Sequence, residues 1–188
     1  EAGGTVVDLG ATEGYYTLRM KLINPAIRVL AAEPISENAE RFRANMAANG
    51  VQGVTLRETA ITGRNGSVQI ETLPHVGTVA STDILAFPRP WIRPNEIRNR
   101  TVPTMTLAAL LENNAVAQAE ILKLDVEGSE VDVLSSNREL LRRFRRVVIE
   151  CHGRAARGTT RKIMESQGFQ TLHAESKRSG DLYFLQRL

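Results

Sequence analysis

Short apolar runs alternate along the chain with stretches whose apolar positions recur at helical spacing, which is the pattern of an α/β domain with a mostly parallel sheet. "TVVDLG" (Thr5 to Gly10) reads as a first strand and "EGYYTLRMKLI" as the helix after it. "IRVLAAEP" reads as a second strand. In "SENAERFRANMAANG", Ala39, Phe42 and Met46 share one helical face, Ser36 supplies an N-cap and Gly50 a stop. "VTLRETAI" gives a third strand, and Asn65-Gly66 turns the chain into a small extra strand, "NGSVQIETL". Residues 73–103 hold five of the seven prolines and little periodicity, the signature of a long loop that is functional or mobile. Beyond it, "TLAALLEN" predicts a short helix and "EILKLDVEG" a strand, followed by helical pieces over Gly128 to Leu134 and Arg138 to Phe144. "RRVVIECHG" is a further strand and "TTRKIMESQG" a helix. "FQTLHAE" and "GDLYFLQRL" are two terminal strands joined by a turn and therefore antiparallel in part.

A length of 188 residues fits a single domain over 1–188 with a sizeable core. Apolar residues make up 42% and charged residues 24%, and no apolar run is long enough for a membrane span, so no membrane partner is expected. A strand-like segment starts almost at Glu1, which leaves room for a natural N-terminal segment before it. The lone Cys151 forms no internal disulfide and fits a reducing, cytoplasmic setting. Net charge is only +3, but arginines cluster in "NRELLRRFRR" and "RPWIRPNEIRNR". A solvated surface is the first reading of these clusters, and a grip on an anionic acceptor or RNA the second.

The first strand ends in Asp8-Leu9-Gly10-Ala11-Thr12-Glu13-Gly14. A strand running through glycines into a helix brings backbone N–H groups close to a ligand. A dinucleotide fingerprint needs a glycine where Thr12 stands, and Asp8 would repel a pyrophosphate. The same carboxylate would attract the ammonium and sulfonium of S-adenosylmethionine. Glu33 ends the second strand nineteen residues after Gly14, the spacing at which an acid meets ribose hydroxyls. Gly10, Ala11, Thr12, Gly14, Glu33 and Pro34 are therefore the expected cofactor residues, together with Asp8.

"ILKLDVEGSE" places Lys123 and Asp125 on one face of a strand that flanks the same crevice. Charges there require partners or a use. Glu127 and Glu130 fall in the first turn of the next helix, where the helix dipole favours them. Glu150 and His152 share a face at the end of the strand "RRVVIECHG", with Cys151 turned to the core. His152 is the natural candidate to take a proton from a hydroxyl near neutral pH. His75 and His173 have no companion pattern.

Taken in order, "VVDLGATEGYYTL", "VLAAEPISEN", "NMAANG", "AITGRNGSV", "VPTMTLAAL", "ILKLDVEGSEVDVL" and "VVIECH" resemble the FkbM-type S-adenosylmethionine-dependent methyltransferases, from Gly4 to His152. The resemblance implies a Rossmann-like class I methyltransferase fold: a mostly parallel seven-stranded sheet, its last strand antiparallel, with helices on both faces. It also implies O-methylation of a sugar or another small natural-product acceptor. Asp8, Gly10, Gly14 and Glu33 carry over as cofactor contacts, Ala60 as a neighbour of the adenine, and Asp125 as the acid at its strand's tip. Thr12-Glu13 departs from the more usual asparagine and apolar pair. The segment 73–103 matches nothing specific and is where acceptor choice is expected to reside.

The mechanism expected is in-line SN2 transfer. His152 or Glu150 would act as base, and Asp125 and Lys123 would position the acceptor. A Mg²⁺ held by Asp125 and Glu150 is a variant with only two visible ligands, so metal-free transfer is preferred. Two other readings remain open: an RNA methyltransferase gripping phosphates with the arginines, and a non-catalytic S-adenosylmethionine-binding module. The sequence does not fix the oligomeric state, and a homodimer is compatible with it.

Overall fold

Strands buried on both faces need apolar side chains pointing both ways, and Val6, Val7 and Leu9 have none of their surface exposed. The computed structural model describes residues 3–73, 76–81, 96–152, 154–176 and 181–188. The chain runs β1 (Thr5–Leu9), α1 (Tyr15–Ile23), β2 (Arg28–Ala32), α2 (Ser36–Ala48), β3 (Val54–Arg57), β4 (Ala60–Ile61), β5 (Gly66–Leu73), β6 (Val76–Ser81), β7 (Arg98–Met105), α3 (Leu107–Asn113), β8 (Ala119–Leu124), α4 (Glu130–Ser136), a 3-10 turn (Arg138–Arg143), β9 (Phe144–Cys151), α5 (Arg154–Ser166), β10 (Phe169–Ser176) and β11 (Asp181–Arg187).

Seven strands form one sheet in the order β10-β11-β9-β8-β1-β2-β3. β11 runs antiparallel to both of its neighbours, whereas β9, β8, β1, β2 and β3 are mutually parallel. The strand order reverses between β1 and β8, so their carboxyl ends open a crevice there. Alternation along β1 sends Val7 and Leu9 to a core shared with Leu107 and Leu110 of α3, Val133 of α4 and Met164 of α5. Val6 points the other way, to Phe42 and Met46 of α2 and Leu18 of α1. Helices therefore cover both faces, as the resemblance implied.

Three expectations are corrected here. The third strand is not continuous. It pairs with β2 only to Arg57, and after Glu58 and Thr59 the chain enters a second, four-stranded sheet of order β4-β7-β5-β6. β3 is the edge of the main sheet, so nothing beyond it holds the chain in register. The Thr59 hydroxyl instead donates to the Pro103 carbonyl, tying the crossing to β7. Second, the expected loop 73–103 contains β6 and most of β7, while 74–75 and 82–95, including His75, Arg89 and Arg93, lie outside the described residues. β7 escaped notice because only Val102 and Thr104 of its side chains are buried, too few to set up an alternating pattern. Third, α2 is capped by Ile35 rather than Ser36, which is its first helical residue.

The second sheet is fastened over the tip of β2 by Ile35, Ile70 and Val102, with Ala60 and Val68 packed against them. Among the described residues no helix is long and apolar enough to cross a membrane.

Gly14 begins α1 with φ +85, and a Cβ there would lie 2.7 Å from Met46 Cε and 2.8 Å from Phe42 Cδ2. The close approach of α1 to α2 thus requires glycine for both backbone and space. Gly14→Ala is expected to lower the unfolding free energy by about 2–4 kcal/mol, from left-handed strain plus overpacking. Urea denaturation measures this, and a loss under about 1 kcal/mol would show that the two helices do not pack this way.

Candidate active site

The carboxyl ends of β1, β2 and β8, roofed by β4 and β5, form a cleft. Gly10 and Thr12 form its floor, Glu33 and Pro34 one side, Ala60, Ile61, Val68 and Ile70 an apolar wall, and Asp125 and Glu127 the polar end.

The floor is held from beneath by a buried ammonium. Lys123 Nζ donates to the carbonyls of Gly10 at 2.6 Å and Leu9 at 3.3 Å, and pairs with Asp125 at 3.3 Å and Asp8 at 3.5 Å. Burial alone would lower the pKa of this lysine, but the charges of Asp8 and Asp125 outweigh it and the net direction is up. The ammonium stays charged. Asp8 is fully buried, its other oxygen accepting from the Thr17 hydroxyl at 2.8 Å. Gly10 has φ +74, and a Cβ on it would overlap the Asp125 carbonyl at 1.8 Å, so only glycine lets β1 and β8 meet at this point.

Thr12 adopts φ 47, a left-handed conformation unusual for a β-branched residue. Its N–H is fixed by Glu33 Oε2 at 3.0 Å. Glu33 Oε1 accepts from the Ile35 N–H and the Asn38 amide, so one carboxylate latches the glycine loop to the entry of α2. Burial raises the Glu33 pKa, although the hydrogen bonds from Ile35, Asn38 and Thr12 act in the opposite direction. A carboxylate has about four lone-pair positions, and these three donors occupy three of them.

At the polar end, the His152 side chain is only 1% exposed. Its Nδ1 lies 2.8 Å from Glu130 Oε1, and its Nε2 lies 3.5 Å from Glu127, 3.8 Å from Glu150 and 3.9 Å from Asp125. Burial works against an imidazolium, but the Glu130 hydrogen bond and the charges of Glu127, Glu130 and Asp125 prevail, and the pKa is pushed up to about 9. Near pH 7 His152 therefore already carries its proton. Glu127 reaches into the cleft because its backbone takes φ 50, followed by Gly128 at φ 107.

A family model described as the methyltransferase FkbM domain matches residues 8–171. The chain belongs to the FkbM methyltransferase family. Among curated relatives, it is 25% identical over 187 residues to "Methyltransferase 1" of Beauveria bassiana, covering 87% of this chain and 71% of that protein. It is also 25% identical over 157 residues to the 2-O-methyltransferase NoeI of Sinorhizobium fredii, covering 77% of this chain and 62% of NoeI. A crystal structure of an FkbM methyltransferase from Methylobacillus flagellatus superposes with a TM-score of 0.66 at 14% identity, over 98% of this chain and 44% of that one. A putative tRNA (m1A22) methyltransferase of Streptococcus pneumoniae, in complex with S-adenosyl-L-methionine, gives 0.58 at 12% identity, over 100% of this chain and 67% of that one. These likenesses show the fold of a Rossmann-like methyltransferase.

Within this FkbM domain the expected site residues divide. Gly10, Thr12, Glu33, Pro34, Ala60 and Asp125 line the cleft. Asp8 does not reach it. Its charge is neutralised by Lys123 under the loop, so the expected attraction of Asp8 for a cationic ligand is replaced by a bracing role. Ala11 turns into the core with α1 and α2, and Gly14 serves helix packing. Lys123 faces the loop carbonyls, which corrects its expected part in positioning an acceptor. His152 and Glu150 do come together with Asp125, but a protonated imidazole cannot be the general base that the sequence suggested. Glu13 turns away to an exposed ion pair with Arg41. Cys151 is buried in the core, where burial pushes its thiol up to about 11. Glu127 was legible only as a helix-start acid, and the roof residues Val68 and Ile70 carried no signal beyond their place in an extra strand.

Two outcomes follow from this geometry. In metal-free protein, the His152 imidazole resonances, assigned by their loss in His152→Gln, should titrate near pH 9. A midpoint at or below the ordinary 6.5 would return the ring to the role of base. The stabilisation linked to this proton is complete below 6.5 and is lost as the pH rises through about 9. Thr12→Asn should raise the unfolding free energy by about 0.5–1 kcal/mol, since asparagine tolerates the left-handed region better than threonine. A destabilised variant would show that the Thr12 side chain contributes more than its backbone costs.

Proposed function

We propose that the chain is an S-adenosylmethionine-dependent O-methyltransferase acting on a hydroxyl of a sugar or another small natural-product acceptor. The observation that carries this reading is the cleft itself. Glu33 stands at its β2 side with one acceptor position left for a ribose hydroxyl, the Ile61, Val68 and Ile70 wall suits an adenine, and carboxylates gather at the far end. Acidic groups there favour a sulfonium and disfavour a pyrophosphate. The likeness to NoeI, a 2-O-methyltransferase, supports the choice of oxygen as acceptor atom.

In the transfer, a lone pair of the acceptor oxygen forms the new C–O bond while the S–CH₃ pair stays on sulfur, giving S-adenosylhomocysteine. The hydroxyl proton must leave to a carboxylate. Asp125, Glu127 and Glu150 are the available acceptors, because His152 is already protonated. The site supplies alignment and a charge environment, which is most of what a reactive methyl donor needs.

Among the described residues, the arginine clusters give the RNA reading no support. Arg142, Arg143 and Arg145 flank the start of β9, at the amino ends of the parallel strands and away from the cleft, and Arg145 pairs with Glu120. Arg100 is paired with Glu37.

Calorimetry with S-adenosylhomocysteine, NAD and ATP tests the cofactor. Binding of the first alone is expected, weakened at least tenfold by Glu33→Ala. Uptake of NAD or ATP with no heat from S-adenosylhomocysteine would overturn the proposal. Release of S-adenosylhomocysteine in a screen of hydroxylated acceptors tests catalysis, and cofactor binding without turnover on any of them would leave a non-catalytic binding module.

A further inference from the structure

Asp125, Glu127 and His152 each present a ligand atom, and those atoms all lie within 4.8 Å of one another. Asp125 and Glu127 line the cleft, 29% and 22% exposed at their side chains, whereas the imidazole between them is buried. The ring is oriented by Glu130 on Nδ1, which leaves Nε2 on the side of Asp125, Glu127 and Glu150. A buried carboxylate on one imidazole nitrogen with oxygen ligands around the other is the outer-shell arrangement of metal-binding histidines. Asp125, Glu127, Glu130 and Glu150 all come within 3.9 Å of this single imidazole. Glu130 is fully buried and its Oε2 has no hydrogen-bond donor, so it brings negative charge into the cluster that no donor on that oxygen offsets.

We propose that Asp125, Glu127 and His152 bind a divalent cation at the polar end of the cleft, the cation displacing to solvent the proton that His152 Nε2 carries in its absence. Two carboxylates with one imidazole suit Mn²⁺, with Mg²⁺ the weaker alternative because it favours oxygen throughout. This set differs from the Asp125 and Glu150 pair that the sequence suggested. Glu150 stands beside it as the group that takes a proton. The site rests on this geometry, and its chemical role rests on the methyl-transfer reading above. A cation there lowers the pKa of an acceptor hydroxyl. The proton passes to Glu150, the oxygen pair bonds to the methyl carbon, and the sulfur keeps the electrons of the broken S–C bond.

The test titrates the full chain, stripped with EDTA, with MnCl₂ and follows free Mn²⁺ by electron paramagnetic resonance. One equivalent per chain is expected, bound at least tenfold more weakly by Asp125→Asn and Glu127→Gln and unchanged in Glu139→Gln, whose carboxylate pairs with Arg142 on the surface. In the wild-type chain, substoichiometric Mn²⁺ should broaden the His152 imidazole resonances before those of His173. Binding without stoichiometry, equal affinity in all variants, or an unbroadened His152 overturns the site. S-adenosylhomocysteine calorimetry in EDTA separates the two proposals: heat there with no Mn²⁺ site removes the cation alone, and no heat with a Mn²⁺ site intact removes the cofactor reading alone.

Discussion

An ammonium group beneath a glycine loop is the constraint on which the site depends. Lys123 comes from β8 yet binds the carbonyls at the end of β1 and the carboxylates of Asp8 and Asp125. A buried charge of this kind is retained only with excellent geometry, because its desolvation is costly and removing one partner strands the others. The two central strands are thereby locked at the point where the sheet reverses order. Glu33 performs a similar task from β2, holding Thr12 in a conformation its side chain does not favour. Two buried ionic groups thus set the shape of the floor before any ligand arrives.

The electrostatic layout has two unlike zones. Under the loop, positive and negative groups compensate one another, and Asp8 is silent toward the cleft. At the polar end Asp125, Glu127 and Glu150 gather about Nε2 of His152. The charged residues of "ILKLDVEGSE" therefore serve both zones: Lys123 belongs to the floor, Glu127 to the reactive end, and Asp125 reaches each. Glu130, from the same short stretch, is buried behind the imidazole and directs it.

Much of the fold was legible because its signals are local. β1, β2 and β8 are apolar runs that end in glycine or charge, and α2 shows its buried face at Ala39, Phe42 and Met46. The second sheet was not, since β7 is covered on one face only and the break after Arg57 is decided by distant pairing with Pro103 and Thr104. In the site, residue type and spacing correctly gathered Glu33, Asp125, Glu150 and His152 at one end of the sheet. Spacing along a strand could not reveal which charges neutralise each other. Hence Asp8 and Lys123 exchanged expected roles for structural ones, and the crowd of carboxylates that protonates His152 was invisible until the chain was folded.

The crossing at Glu58 and Thr59 carries the chain from one sheet into another, so floor and roof are built on separate hydrogen-bond ladders. Lengthening or exchanging β5 and β6 would disturb neither β1 nor β8. An architecture of this sort permits selection to rework the roof of the cleft while leaving intact the ladder that carries its floor.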